Sequence, residues 1–111
     1  MYDLVYHKNM TTEKWFAYPG FQQLLSIANE LNRAQNALKK GDTENAIHAW
    51  ERAFELTDLT VEDTKNHRLR KELLRFREML GETFLSHDAD TNISLLKEIT
   101  RLDPVAYSAM C

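Results

Sequence analysis

Apolar side chains recur at helical spacing in four separate stretches of the chain. The first stretch begins near Pro19, a residue that suits the first turn of a helix, and runs to about Lys40. Gly41 then supplies a C-terminal stop. The predicted core stripe of this helix is Leu24, Ile27, Ala28, Leu31, Ala34 and Leu38. The predicted polar face opposite to it is Gln22, Ser26, Asn29, Glu30 and Arg33.

The second stretch begins at Asp42 or Thr43, both of which are good N-cap residues, and runs to about Thr57. Its broad apolar face is predicted to be Ala46, Ile47, Ala49, Trp50, Ala53, Phe54 and Leu56. Only two or three residues join it to the first helix. The first two helices are therefore expected to form an antiparallel hairpin.

The third stretch has the most regular pattern, with apolar residues at spacings of four, three, four and four: Leu69, Leu73, Phe76, Leu80 and Phe84. We expect this helix to begin at Thr60, because Asp63 three positions later resembles the second half of a capping box. Gly81 lies off the stripe and costs about 1 kcal/mol in a helix interior. It either allows a neighbouring element to approach closely or marks a weak point.

A polar break over residues 86–90 precedes the fourth stretch. Asp90 or Thr91 is expected to cap a short helix there, and Pro104 is expected to end it, because the residue before proline disfavours helix. The predicted apolar positions of this helix are Ile93, Leu96, Ile99 and Leu102.

Together the four helices predict an all-α protein, either a four-helix up-and-down bundle or two stacked antiparallel helical hairpins. Its 111 residues include only 3 Gly and 2 Pro. A β-rich domain of this size would need more turn residues. We expect one helical domain over residues 15–104, an extended N-terminal arm over 1–14 and a frayed tail over 105–111.

Composition narrows the classes of function. The net charge of −3 is mildly unfavourable for a nucleic-acid binder. The single cysteine, Cys111, excludes an intrachain disulfide and fits a reducing compartment. The N-terminal residues lack the apolar segment of a signal peptide, and no apolar run approaches the roughly 18 residues of a membrane span. These features predict a cytoplasmic protein.

Residues 41–56 read Gly-Asp-Thr-Glu-Asn-Ala-Ile-His-Ala-Trp-Glu-Arg-Ala-Phe-Glu-Leu. This segment resembles the turn and second helix of a tetratricopeptide repeat, which has small residues where its two helices pack closely. The residues at these small positions are Ala34, Ala46 and Ala53. Glu30 and Arg33 depart from the family pattern, and no second copy follows at a 34-residue period. The resemblance covers about residues 25–57 and implies close hairpin packing and, by analogy, a role in protein interaction.

No catalytic, metal or cofactor site is predicted. One group, Glu44, His48, Glu51 and Glu55, shares a helix face at a spacing that suits metal binding. That face points away from the apolar side of the helix, so we interpret it as solvated, since ligands in a bundle core must point inward. Serines and histidines are scattered and the glycines are isolated, which leaves neither a nucleophilic triad nor a phosphate loop. We expect a non-enzymatic protein with no cofactor and no small-molecule substrate.

Residues 64–78 are the most basic part of the chain, with six Lys and Arg against two acidic residues. Arg68, Lys71 and Arg75 lie opposite the apolar stripe of the third helix and form a candidate basic surface. It is interpreted as a solvated face with pairs such as Arg68–Glu72, as a contact for an acidic protein, or as a phosphate contact in nucleic acid. No aromatic residue interleaves on this face, so a platform for base stacking is missing.

Two further features indicate an interface. Trp15, Phe16 and Tyr18 precede the first helix and either cap the end of the bundle or contact a partner, since Trp and Tyr are enriched at interface hot spots. Leu25 and Leu74 lie off the main stripes and would join such a surface if exposed. We therefore expect a protein–protein interaction or self-associating domain, with a homodimer among its forms. The alternative is a nucleic-acid-associated protein that uses the basic surface.

Overall fold

A computed structural model of the chain describes residues 20–63 and 67–102, which fold into four α-helices without a strand among them. The helices are α1 (Gly20–Lys39), α2 (Thr43–Asp63), α3 (His67–Ser86) and α4 (Ala89–Arg101). The all-α prediction is confirmed. The predicted arm over 1–14, the predicted tail over 105–111 and the aromatic segment at Trp15, Phe16 and Tyr18 lie outside the described residues.

The helices are arranged as a ring. Each packs against its neighbour in the chain, and α1 also packs against α4, which closes the ring around one core. The connections between α1 and α2 and between α3 and α4 are each only a few residues long. Helices joined in this way run antiparallel, so the arrangement is that of an up-and-down four-helix bundle.

The turn between α1 and α2 is specified by two residues. Gly41 has a φ of 73°, in the left-handed region that favours glycine. Its amide donates to the Leu38 carbonyl, and the amide of Asp42 donates to the Ala37 carbonyl at 2.8 Å, the pattern of a Schellman motif. The Asp42 carboxylate in turn accepts the amide of Asn45 at 3.2 Å and so caps α2. The predicted stop and cap are both present.

Small side chains set the distance between α1 and α2. Ala34, Ala46, Ala49 and Ala53 are all fully buried. Because alanine projects only one methyl group, the two backbones can approach closely along this seam.

Glu30 corrects the predicted polar face of α1, because it is only 3% exposed. Its carboxylate accepts from Arg33 Nη1 at 2.8 Å and from Arg52 Nε on α2 at 2.7 Å. A carboxylate with two guanidinium partners can be buried at an acceptable free-energy cost. Gln23 is also buried and was not predicted to be.

The boundary between the second and third helices was predicted wrongly. α2 extends to Asp63, and Thr60 is a buried residue inside it rather than the cap of α3. The hydroxyls of Thr57 and Thr60 donate to the carbonyls of Ala53 and Leu56, each at 2.7 Å. Their polar atoms are thus satisfied within the helix, and the fully buried Leu59 continues the core stripe.

The cap and register of α4 also differ from the prediction. Asp88, not Asp90 or Thr91, is the N-cap, and its side chain accepts the amide of Asp90. The buried stripe includes Asn92, Leu95 and Ile99, whereas the predicted core residue Ile93 is 39% exposed. A buried asparagine within the stripe conceals its true register in a hydropathy pattern.

Candidate interaction surface

One side of α3 faces away from the bundle and carries exposed apolar residues. Its inner side places Leu73, Phe76 and Leu80 in the core. On the outer side, Leu74 is 47% exposed and Leu85 is 83% exposed. We define the α3 face as the outward residues Lys71, Leu74, Arg75, Glu78, Gly81, Glu82 and Leu85. Four of them, Leu74, Glu78, Gly81 and Leu85, recur at spacings of four, three and four and so lie along one line of the helix.

Gly81 forms a notch in the middle of this line. A Cβ atom built at Gly81 would meet no heavy atom within 4 Å apart from the backbone of its own helix. Within the described chain no neighbouring element makes the close approach that glycine would permit. The missing side chain therefore leaves room on the outer surface between the two exposed leucines.

This geometry predicts that Gly81→Ala stabilises the fold. Alanine is favoured over glycine by about 1 kcal/mol in a helix interior, and the new methyl group has space. Urea denaturation should show a rise in the free energy of unfolding of about that size. The matched control is Gly41→Ala, which should lower the same quantity because its φ of 73° strains any L side chain. A loss of stability at Gly81 would contradict the open notch.

Charge is distributed unevenly along the α3 face. Lys71 and Arg75 lie in the N-terminal half, next to the exposed Arg68, and Arg75 Nη1 is 3.8 Å from the carboxylate of Glu72. Glu78 and Glu82 lie in the C-terminal half and are exposed. The helix is thus basic toward its start and acidic toward its end on the same outward side.

The candidate surface residues predicted from the sequence do not all lie on one surface. Arg68, Lys71 and Arg75 are exposed on α3, and Leu74 lies beside them. Leu25 is half-buried and packs against the core of the bundle, so it contributes to packing rather than to this surface.

Sequence reasoning did not include Glu78, Gly81, Glu82 and Leu85 in the surface. A signal for three of them was present in the chain. Gly81 follows Leu74, and Leu85 follows Glu78, by seven residues, which is the spacing of a second stripe on the same helix. The regular core stripe on the opposite side is the stronger periodic signal in this helix.

A cluster of hydrogen-bonded polar groups lies inside the bundle around Asn92, which is fully buried. Its Oδ1 accepts from Trp50 Nε1 at 2.8 Å. Its Nδ2 donates to the Leu31 carbonyl at 3.0 Å and to Gln35 Oε1 at 3.1 Å. Both amide hydrogens are therefore used within the chain, and the cluster links α1, α2 and α4 instead of presenting groups to a ligand.

His87 covers this cluster from the connection between α3 and α4. Its ring stacks on Trp50 with centroids 5.6 Å apart and an interplanar angle of 22°. The backbone of His87 has a φ of 56°, uncommon for a residue other than glycine. The stack helps to hold this connection in place against α2.

The Glu and His side chains that were considered as metal ligands do not come together in a site. His48 Nε2 lies 3.9 Å from a carboxylate oxygen of Glu44, whose side chain is almost entirely solvated. Among the described residues, no group of three or more His, Cys, Asp or Glu side chains is placed to hold a metal ion. A shallow cleft between α3 and α4 has a cavity volume of only about 10 Å³. It is smaller than the roughly 300–1,000 Å³ of typical small-molecule pockets.

The α3 face, including Leu74 and Leu85, thus presents the largest exposed apolar side chains of the described residues besides Ile93. No helix in the described part of the chain is long and apolar enough to cross a bilayer. Comparisons with protein-family models, with curated proteins and with solved structures gave no match.

Proposed function

We propose that this protein is a non-enzymatic helical domain that acts by binding another protein chain through the α3 face. The observation that carries the proposal is the pair of exposed leucines, Leu74 and Leu85, aligned with the open notch at Gly81. Exposed apolar side chains grouped on one side of a helix and rimmed by charge are typical of contact surfaces.

The interior of the bundle supports the same proposal. Two of its buried polar side chains, Glu30 and Asn92, are hydrogen-bonded to residues of their own chain. Such groups stabilise one arrangement of the helices, and their hydrogen-bonding atoms are already used within the chain. The outer surface of α3 is then the better candidate for function than the core.

The proposal predicts that Leu74→Glu releases the protein from its complex. Native cells are first treated with formaldehyde, so that a weak complex survives dilution. The clarified extract is then fractionated by size, and the protein is detected with an antibody. The wild-type protein should elute as a species larger than one chain, whereas Leu74→Glu should elute as a single chain. A buried charge in an apolar contact disfavours association by several kcal/mol.

The matched control is Ile93→Glu, since Ile93 is also exposed but lies on α4. It should leave the elution of the complex unchanged. Circular dichroism must show that both variants remain helical. Elution of the wild-type protein as a single chain, or equal effects of the two variants, would contradict the proposed function.

A second candidate function is binding of nucleic acid, favoured by the row of exposed cations Arg68, Lys71 and Arg75. The carboxylates of Glu72, Glu78 and Glu82 on the same helix would oppose phosphate, so we place it second. The discriminating measurement is a gel shift at low salt with wild-type protein and with all three cations changed to Gln. Binding of the wild type that falls with added salt and disappears in the variant would support this function.

A further inference from the structure

The charge pattern of the α3 face fits a second copy of itself. Lys71 and Arg75 are in its N-terminal half, and Glu78 and Glu82 are in its C-terminal half. When two identical helices lie antiparallel, the start of each faces the end of the other. Each basic half would then meet an acidic half, and both contacts would occur twice around a two-fold axis.

The register follows from residue positions. Lys71 and Glu82 are equally far from the midpoint between Phe76 and Arg77, and so are Arg75 and Glu78. An axis at this midpoint places Lys71 opposite Glu82 of the second copy and Arg75 opposite Glu78. These four residues lie toward one flank of the face, and like flanks meet in an antiparallel pair. One register therefore aligns both pairs, which gives four ion pairs in the dimer.

The same register brings an exposed leucine to the notch. With the axis at this midpoint, Leu74 lies within about 3 Å along the helix axis of Gly81 in the second copy, at a rise of about 1.5 Å per residue. Nothing within 4 Å occupies the position of a Cβ atom at Gly81. The leucine can enter this space and allow the two helices to approach closely. The apolar and ionic contacts thus agree on one alignment, although they are independent features.

We propose that two copies of this chain associate through antiparallel packing of their α3 faces, with Leu74 of each copy seated over Gly81 of the other. The inference rests on the proposed function and names its partner as a second copy. Arg77 lies near the two-fold axis, where it would meet its own counterpart. Its charge is compensated within the chain, because its Nε lies 2.6 Å from Asp58 and its guanidinium covers the ring of Phe54.

The contact is of modest size. The 20 residues of α3 span about 30 Å, and one helix pair buries less than the roughly 800 Å² per partner of a standard interface. Exposed ion pairs add little individually. We expect a dissociation constant in the micromolar range, on the order of 10 to 100 µM. Sedimentation velocity on purified full-length protein across that range should show a monomer–dimer equilibrium.

The first test is Gly81→Gln, which fills the notch. Glutamine is a good helix former, so the free energy of unfolding should rise, as for Gly81→Ala. Self-association should nevertheless weaken by about tenfold or more, which corresponds to roughly 1.4 kcal/mol. A variant that is more stable yet less associated cannot be explained by unfolding. Unchanged association of a folded Gly81→Gln protein would overturn the proposal.

The second test exchanges charges between copies. Lys71→Glu and Glu82→Lys should each weaken self-association, because each places like charges opposite one another. A mixture of the two variants should associate again, because both pairs are then complementary between the different chains. Lys97→Glu on the exposed surface of α4 is the matched control and should associate like the wild type. Failure of the mixture to recover would overturn the antiparallel register.

These results separate the inference from the proposed function. If the purified protein remains monomeric while the native extract contains a complex that depends on Leu74, the partner is a different protein and the inference fails alone. If the purified protein dimerises but the α3 variants have no effect, the inference also fails. A monomer in both experiments would overturn the inference and the proposed function together.

Discussion

Replacement of Asn92 by alanine is expected to lower the free energy of unfolding by about 3 kcal/mol. The change removes the acceptor of the Trp50 indole N–H and the donor to the Leu31 carbonyl, and both of these hydrogen bonds are buried. A buried donor left without a partner costs about 1–3 kcal/mol, and the cavity left by the shortened side chain adds to this. Domains of this size are stable by only about 5–15 kcal/mol, so the effect is large.

Urea denaturation followed by circular dichroism measures this loss. The matched control is Asn29→Ala, because Asn29 is exposed on α1 and its truncation should change the free energy of unfolding by less than about 0.5 kcal/mol. A double-mutant cycle with Trp50→Phe should show coupling, since both variants remove the same hydrogen bond. Additive effects in the cycle would contradict the role assigned to the bond between Trp50 and Asn92.

Replacement of Leu80 by alanine is the other change with a large expected effect, a loss of about 3 kcal/mol of unfolding free energy. Leu80 is fully buried on the inner side of α3, and its truncation leaves a cavity in the core. Leu74→Ala removes the same atoms from the outer side of the same helix, where the side chain is half exposed. It should cost less than about 0.5 kcal/mol at a protein concentration too low for association.

The comparison between these two leucines tests how α3 is oriented. Both substitutions have the same effect on helix propensity, so that contribution cancels between them. Thermal or urea denaturation of the two variants should therefore differ by roughly 2–3 kcal/mol because of burial alone. Equal losses would mean that Leu74 is part of the core, and the α3 face could not then be a contact surface.

Features of the fold that depend on neighbouring residues followed from the sequence. The turn at Gly41 and Asp42 was predicted because its hydrogen bonds join residues at most five positions apart. Three buried positions of α3, Leu73, Phe76 and Leu80, were predicted because the apolar stripe is regular, whereas the buried Thr83 was not predicted. In both cases the physical cause lies within a few residues of the feature it determines.

Features that depend on partners distant in the sequence could not be predicted from it. Glu30 was assigned to a polar face because its main partner, Arg52, is 22 residues away. Asn92 was overlooked in the core because Trp50 is 42 residues away. A polar residue can be buried when it has a hydrogen-bonding partner inside the bundle. The hydropathy of the residue alone does not show whether another helix supplies such a partner.

The candidate surface was predicted only in part. The sequence placed the cations opposite the apolar stripe of α3 and Leu74 off that stripe, since both positions follow from the helical period. The role of Gly81 in this surface could be inferred only from the structure, which shows that nothing within the described chain fills the space beside it. Because of this open space, we interpret Gly81 as the centre of the proposed contact rather than as a weak point in the helix.

The most direct measurement of the central claim is photo-cross-linking in living cells from single positions on the bundle. A photoreactive amino acid replaces Glu78 on the α3 face in one strain and Lys97 on α4 in another, both at exposed positions. We expect a discrete protein adduct from position 78 and none above background from position 97. No adduct from position 78, or equal adducts from both positions, would contradict the assignment of the α3 face as the surface that binds a protein.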